Sequence, residues 1–336
     1  MKKIAVVLLV AFYTLSCKDE KHIPDVSAIK VELDVKRFDK DFFTLDTSNV
    51  PAALTRLHEK YPGFLYDYLY NILGIEPLPD SVNKKVPRFI YDYQPIAKAV
   101  AEKFPAVEKI QKDVSRGFQF VKYYFPEYKL PKHLITFTGP VEGYANVLTN
   151  DGLAIGLQLY LGQDYPMYQT GYVRQVYAEY QSRRFEPAYI PVNCMKNIMD
   201  DLYPAPAPDQ PLVYQMVEAG KRLYMLDMFL PETADTLKTG YTQQQLDGCY
   251  ANEAGIWNFF LQNNMLYLTD AAQTREYVND GPRTEVLGDS SPGFIGQFVG
   301  WQIVKKWMAQ DDQRTLPLLL KTPAKQVFEE AKYKPK

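Results

Sequence analysis

The stretch Asn150-Asp151-Gly152-Leu153-Ala154-Ile155-Gly156-Leu157-Gln158-Leu159-Tyr160-Leu161 decides the fold class. Asn-Asp-Gly between apolar runs is a strong hairpin turn signal, because Asn, Asp and Gly tolerate the positive backbone angles of a tight turn. The nine residues after it, Leu153 to Leu161, read as the returning strand. Glycine inside such a strand marks the close approach of another backbone. Just upstream, Lys132-His133-Leu134-Ile135-Thr136-Phe137-Thr138 reads as a further strand. Ile29, Val31, Leu33 and Val35 alternate with Lys30, Glu32, Asp34 and Lys36, the pattern of a half-buried strand. The sheet therefore belongs to the first half of the chain.

Helical signals surround it. Pro51 sits where a helix opens, and Tyr61-Pro62-Gly63 ends that helix. Phe64, Leu65, Tyr68, Leu69, Ile72 and Leu73 mark one helical face, closed by Gly74. Residues 76–90 are polar and Pro-containing and read as a surface loop. A long helical region follows over roughly 94–124, with a break expected near Gly117. From about residue 170 onward the pattern is mostly helical, and Pro204-Ala205-Pro206-Ala207-Pro208 connects two of those helices. The reading is α+β: mostly helical with a small antiparallel or mixed sheet in the first half, in one domain over 29–333.

The first seventeen residues carry an address. Met1-Lys2-Lys3 is basic, Ile4 to Phe12 is apolar, and Tyr13-Thr14-Leu15-Ser16 leads to Cys17. The chain then turns charged at once, with Lys18-Asp19-Glu20-Lys21-His22. That is the layout of a secretory signal with a cysteine at the cut point. Spanning a bilayer takes about 20 apolar residues, more than this run supplies. Residues 1–16 read as a lipoprotein signal peptide, Cys17 as the residue that carries palmitate-type acyl chains, and 17–28 as a polar tether. Small Ser16 fits a lipobox; Thr14 stands where leucine is usual, with Leu15 one place late. The alternatives are an ordinary secreted protein cut nearby and a cytoplasmic chain with an apolar start. The cysteine best explains the abrupt switch from apolar to charged. Lys18-Asp19-Glu20 reads equally as an outer-surface sorting signal or as a tether that only has to be soluble.

Composition narrows the function. Hydrophobic residues make up 46% and charged residues 23%, as in a globular protein. Net charge is −2, and loss of Lys2 and Lys3 with the signal takes it to about −4, which leaves no electrostatic footprint for nucleic acid. No glycine-rich phosphate loop is present, and no cofactor is implied. The three histidines, His22, His58 and His133, are scattered, against a histidine metal site. The 26 tyrosines suit either a glycan- or peptide-binding surface or, more simply, half-buried positions.

Candidate chemistry is sparse. Glu142, Asp151 and Asp164 lie around the strand pair and could act as paired carboxylates on a glycan, but Asp151 and Asp164 also suit turns. Asp200-Asp201 could help bind calcium, yet no EF-hand spacing surrounds them, and they suit a helix end before Pro204. Ser291-Pro292-Gly293 is not a nucleophile elbow and reads as the cap of a helix bearing Ile295, Val299, Ile303 and Trp307. Gly296 and Gly300, four apart on that helix, would let another element pack closely. Arg183-Arg184 reads as a solvated pair answering Glu179 or Glu186. Cys194 and Cys249 lack partners at metal spacing; they form either a disulfide or two buried free thiols.

Several stretches together carry a resemblance. Ile23-Pro24-Asp25-Val26-Ser27 leads to Arg37-Phe38-Asp39-Lys40-Asp41-Phe42-Phe43, and Ala154-Ile155-Gly156-Leu157 continues to Gly162-Gln163-Asp164-Tyr165-Pro166. Arg183-Arg184-Phe185-Glu186-Pro187-Ala188-Tyr189-Ile190 follows, and Ser291-Pro292-Gly293-Phe294-Ile295-Gly296-Gln297-Phe298-Val299-Gly300-Trp301-Gln302-Ile303-Val304 stands near the end. With the signal region, these resemble the gliding-motility lipoprotein GldB family of Bacteroidetes, over about 23–310. The resemblance implies a lipid-anchored cell-envelope protein tied to gliding, and the absence of catalytic motifs adds the expectation that it is non-catalytic. Its partners would be the membrane, through Cys17, and other envelope proteins of the motility apparatus, with linked secretion machinery. Its location would be the cell envelope, lipid-anchored to a membrane, with the outer membrane or cell surface as one option. The GldB family also looks distantly similar to zinc peptidases, which carry His-Glu-x-x-His on one helix and a glutamate on a later one. That similarity implies a degenerate zincin-like scaffold. Here Pro191-Val192-Asn193-Cys194-Met195-Lys196-Asn197-Ile198-Met199 has neither histidine nor glutamate, and Glu218 would be the remnant of the third ligand. The alternative functions are an envelope hydrolase using Glu142, Glu218 or an acidic pair as base, and a glycan-binding lipoprotein.

Overall fold

The computed structural model describes residues 23–206 and 209–336, so Cys17 and Lys18-Asp19-Glu20 lie outside the described residues. The sheet has four strands: β1 (Asp34–Arg37), β2 (His133–Phe137), β3 (Asn146–Thr149) and β4 (Gly152–Gly156), in spatial order β1-β2-β4-β3. β1 and β4 run parallel to β2, and β3 returns antiparallel on β4. The chain is otherwise mostly helical, as expected for an α+β fold with its sheet in the first half.

β2 and β4 have two buried faces. Leu134, Leu153 and Ile155 point into one core; Ile135, Phe137 and Ala154 point into another. A strand buried on both sides reads as a continuous apolar run rather than an alternation, which is why 152–160 is buried throughout. Gly152 and Gly156 meet the expectation of close backbone approach. A Cβ on the first would lie 2.3 Å from the His133 carbonyl oxygen, and on the second 2.6 Å from that of Tyr144.

Two strands, β1 at the sheet edge and β4 inside it, are shorter than their patterns suggest. The alternation over 29–36 is paired only from Asp34 onward, because glutamine side chains take the earlier carbonyls: Gln119 donates to the Ile29 oxygen and Gln111 to that of Leu33. The strand expected over 153–161 ends at Gly156 and tightens into a 3-10 turn, Leu157–Leu159. There the buried Gln158 amide serves the loop instead, accepting from Gly139 N–H and donating to the Pro140 oxygen.

The first half supplies α1 (Phe38–Phe43), α2 (Val50–Lys60), α3 (Pro79–Lys103) and α4 (Glu108–Tyr124). α3 corrects the loop expected over 76–90. Val86, Ile90, Ile96 and Val100 are buried at helical spacing. The carbonyls left unpaired by Pro87 and Pro95 belong to exposed Asn83 and Tyr91, where water can satisfy them. The break expected near Gly117 lies instead between Lys103 and Glu108, at Pro105. Gly117 continues α4, and its missing side chain leaves room for Met195, whose Sδ would be 2.8 Å from a Cβ.

The second half is built on α5 (Ile190–Leu202), α6 (Leu212–Phe229), the short α7 (Asp235–Thr239) and α8 (Ile295–Met308). α6 and α8 form its spine. A Cβ on Gly300 would sit 1.6 Å from the Met216 carbonyl oxygen, and one on Gly220 would sit 2.1 Å from the Gly300 carbonyl carbon. The two helices therefore touch backbone to backbone, as the Gly296/Gly300 spacing anticipates. Ser291 does not cap α8: its Oγ lies 2.8 Å from the Thr284 and Gly288 carbonyl oxygens and ties its own loop. The cap is Phe294, with a left-handed φ of 56°. No helix among the described residues is long and apolar enough to cross a membrane.

Candidate functional site

The polar chemistry buried in this protein gathers on α6. Lys221 and Asp227 are each 1% exposed, and charges so placed persist only with partners. Lys221 Nζ donates to Glu218 Oε1 at 2.9 Å and to the Thr322 carbonyl at 2.7 Å. Tyr203 OH donates to Glu218 Oε2 at 2.5 Å. Burial, followed by that carboxylate, drives the Tyr203 phenol well above its ordinary range. Nearly two turns on, Asp227 receives Lys238 Nζ at 2.5 Å and Trp301 Nε1 at 2.7 Å, while Lys238 also meets Asp235 at 2.7 Å. This second cluster pins α7 and α8 to α6.

Between α5 and α6 lies a cavity of about 410 Å³, in the size range of small-ligand sites. Met199, Leu223, Leu226 and Phe294 give it apolar walls, and Lys196, Asp200, Glu218 and Arg222 give it charge. Arg222 pairs with Asp200 and donates to the Tyr203 carbonyl at 2.8 Å. Lys196 makes no hydrogen bond or ion pair with any described residue. It also lines a smaller cavity of about 230 Å³ with Tyr160, Arg184, Asn193 and Asp280. Burial pulls its ammonium down to about 8. Arg184 and Arg222 push the same way and Asp280 opposes them.

The residues singled out in the sequence scatter. Asp151 is a cap reached from afar: its Oδ2 accepts from the N–H groups of Gly63 and Phe64 at 2.7 and 2.6 Å. Glu142 and Asp164 are exposed, and Glu142 meets the Tyr172 hydroxyl. With Asp151 committed to that cap, the structure builds no carboxylate pair from these three. Asp200 and Asp201 close α5, with Asp201 accepting from Tyr128 OH at 2.7 Å. The solvated Arg183-Arg184 pair is corrected. Arg183 donates to the Gly240 carbonyl at 2.7 Å, and Arg184 grips Asp280 with two bonds of 2.9 and 3.0 Å. Glu186 instead accepts from Gln163 N–H. Cys194 and Cys249 are buried free thiols; burial drives the first far up and the second to about 12. The tyrosines divide. Tyr61, Tyr68, Tyr160 and Tyr168 are buried, while Tyr66, Tyr91, Tyr144 and Tyr267 are scattered on the surface.

Glu218 does stand opposite the Pro191–Met199 segment, across the cavity. The residues there do not fit a divalent metal, since Lys221 already supplies the cation that Glu218 faces. Among the described residues, no three His, Cys, Asp or Glu side chains converge as ligands. Sequence reasoning missed Lys196, Lys221 and Arg222. The signal for Lys196 was present: it shares a helical face with buried Val192 and Met199, where a solvated lysine has no place.

The family model described as gliding motility protein GldB matches residues 19–335. No curated protein and no solved structure matches the chain.

Proposed function

The chain belongs to the family of gliding motility protein GldB, and from that membership we propose a lipoprotein of the cell envelope that serves the motility apparatus by binding rather than by catalysis. The observation that carries this reading is the extent of the match. It begins at residue 19, two positions after Cys17, and takes in the whole folded body. Cleavage before Cys17 would leave that body on a short polar tether, with acyl chains on the cysteine contributing about 0.8 kcal/mol per buried methylene. The state of Glu218 supports a non-catalytic role. Both its oxygens are held, one by Lys221 and one by Tyr203, so it is not poised as a general base. The surface then acts by contact with other envelope proteins.

The experiment is deletion of the gene with rescue by the wild type and by Cys17→Ala, scoring colony spreading, the secreted proteome and membrane fractionation together. The expected result is loss of spreading or secretion, restored only by the form that fractionates with membranes. Equal rescue by an untethered Cys17→Ala protein would sink the anchoring claim. A strain with wild-type spreading and secretion would sink the motility claim.

A further inference from the structure

We propose that the cavity between α5 and α6 is a binding site for a small amphipathic carboxylate, with the anionic head against Lys196 and the apolar body against Met199, Leu223, Leu226 and Phe294. The inference goes beyond the envelope role and does not depend on lipidation of Cys17.

Charge pairing on the cavity wall carries it. Arg222 is paired with Asp200, Glu218 with Lys221, and Lys238 with Asp227 and Asp235. Lys196 lacks such a partner among the described residues. A partly buried ammonium without a counter-ion weakens a fold and is retained where something else supplies the opposite charge. On the smaller cavity that Lys196 also lines, Arg184 keeps one buried nitrogen, Nε, without a hydrogen-bond partner among the described residues. The walls are otherwise largely apolar, so the ligand needs an apolar body as well as a head. A carboxylate suits the site better than a phosphate. One cation that no acid among the described residues pairs with matches one negative charge, and Asp200 and Glu218 in the same wall would repel a dianion more strongly than a monoanion. Two sources share this chemistry: a fatty acid, and the C-terminus of a peptide ending in an apolar residue.

The titration of Lys196 provides the readout. The charged groups around it are Arg184 and Asp280 at the smaller cavity, Asp200 on its own helix, Glu218 and Arg222 on α6, and Lys238 on α7. With its ammonium at about 8, a good part of Lys196 is free amine at pH 8 and open to an acylating reagent. A bound carboxylate would both cover the amine and hold it protonated, and binding would weaken as pH rises through about 8.

The test acylates the purified full chain at pH 8 and measures modification of Lys196 by peptide mass spectrometry, with exposed Lys112 as reference. Decanoate is compared with decanol, and a short peptide ending in leucine with its C-terminal amide. We expect at least one acid to slow acylation of Lys196 about ten-fold or more, with Lys112 unchanged and the neutral counterparts inert. Protection by decanoate assigns a fatty acid, and protection by the free peptide assigns a C-terminus. Equal protection by the neutral counterparts, or none by either acid, would overturn the proposal.

Discussion

The two sides of the sheet solve the same packing problem with different materials. On one side, α1 and α2 close over Phe38, Phe42, Tyr61, Phe64, Tyr68 and Phe137. Phe38 alone has four ring neighbours at 4.6–5.4 Å. Polar groups there are tips of aromatic rings, such as Tyr68 OH donating to the Thr138 carbonyl at 2.5 Å. On the other side, α6 and α8 meet through glycines, and the helices carry buried Lys221, Asp227 and Lys238 into the interior. Aromatic rings fill space without directional demands beyond their edge-to-face preference. Backbone contact and buried ions tolerate far less displacement, and an incomplete set of ion partners leaves a place for a ligand. The aromatic side is thus a platform, and the helical side is where binding chemistry can reside.

The strongest way to break this contrast is Gly300→Leu. A Cβ there already collides with the Met216 carbonyl, so the spine must separate. A loss of more than about 4 kcal/mol is expected, read as disappearance of soluble protein and of a cooperative melting transition. Near-normal melting would mean that α6 and α8 are not held together by this contact.

Next come Phe38→Ala and Asp227→Ala, each expected to cost about 3–5 kcal/mol for different reasons. The first leaves a cavity among four rings. The second removes a partner of both Lys238 and Trp301. The double change Asp227→Leu with Lys238→Met should recover part of the second loss, because a buried ion pair replaced by apolar groups of similar size is often neutral, while Trp301 Nε1 and Asp235 still lose a partner. Denaturant melts of the three proteins decide the matter; failure of the double change to recover would mean the cluster does more than pin α7.

The smallest effect has the opposite sign. Lys196 falls from an ordinary 10.5 to about 8 on folding, through burial first and the nearby Arg184 and Arg222 after it, against Asp280. The unfolded chain binds this proton more readily, so stability is lower below the folded value and rises as pH climbs from about 8 to 10.5. Lys196→Met should therefore stabilise the ligand-free protein by about 1–3 kcal/mol near neutral pH and remove that slope. Destabilisation on substitution would instead make Lys196 a structural residue.

Much of the first half was legible. Asn150-Asp151-Gly152 turns where its residue types require, and the apolar runs around it pair in the sheet. The tight helix contact at Gly300 was legible as well, because only glycine removes the Cβ that would hold two backbones apart. Misreadings have a common cause in satisfaction at a distance. Asp151 forms the expected turn, but its carboxylate also accepts from the Gly63 N–H 88 residues away, which no local pattern shows. Ile29 looked like a strand residue yet gives its carbonyl to Gln119. Pro87 looked like a loop residue, but the carbonyl it frees, that of Asn83, is on an exposed residue where water can reach it. Arg184 looked solvated, although its acid, Asp280, lies 96 positions along the chain.

Local rules therefore suffice for what each segment can be: composition and periodicity set the α+β class, and the apolar-to-charged switch at Cys17 sets the expectation of an anchor. Partnership between distant charges is decided only when the chain closes. A lysine on an apolar helical face is visible in one dimension, but whether an acid waits opposite it depends on how α5, α6 and α7 come together. In this fold Glu218 meets Lys221, Asp227 meets Lys238, and Lys196 is left facing a cavity.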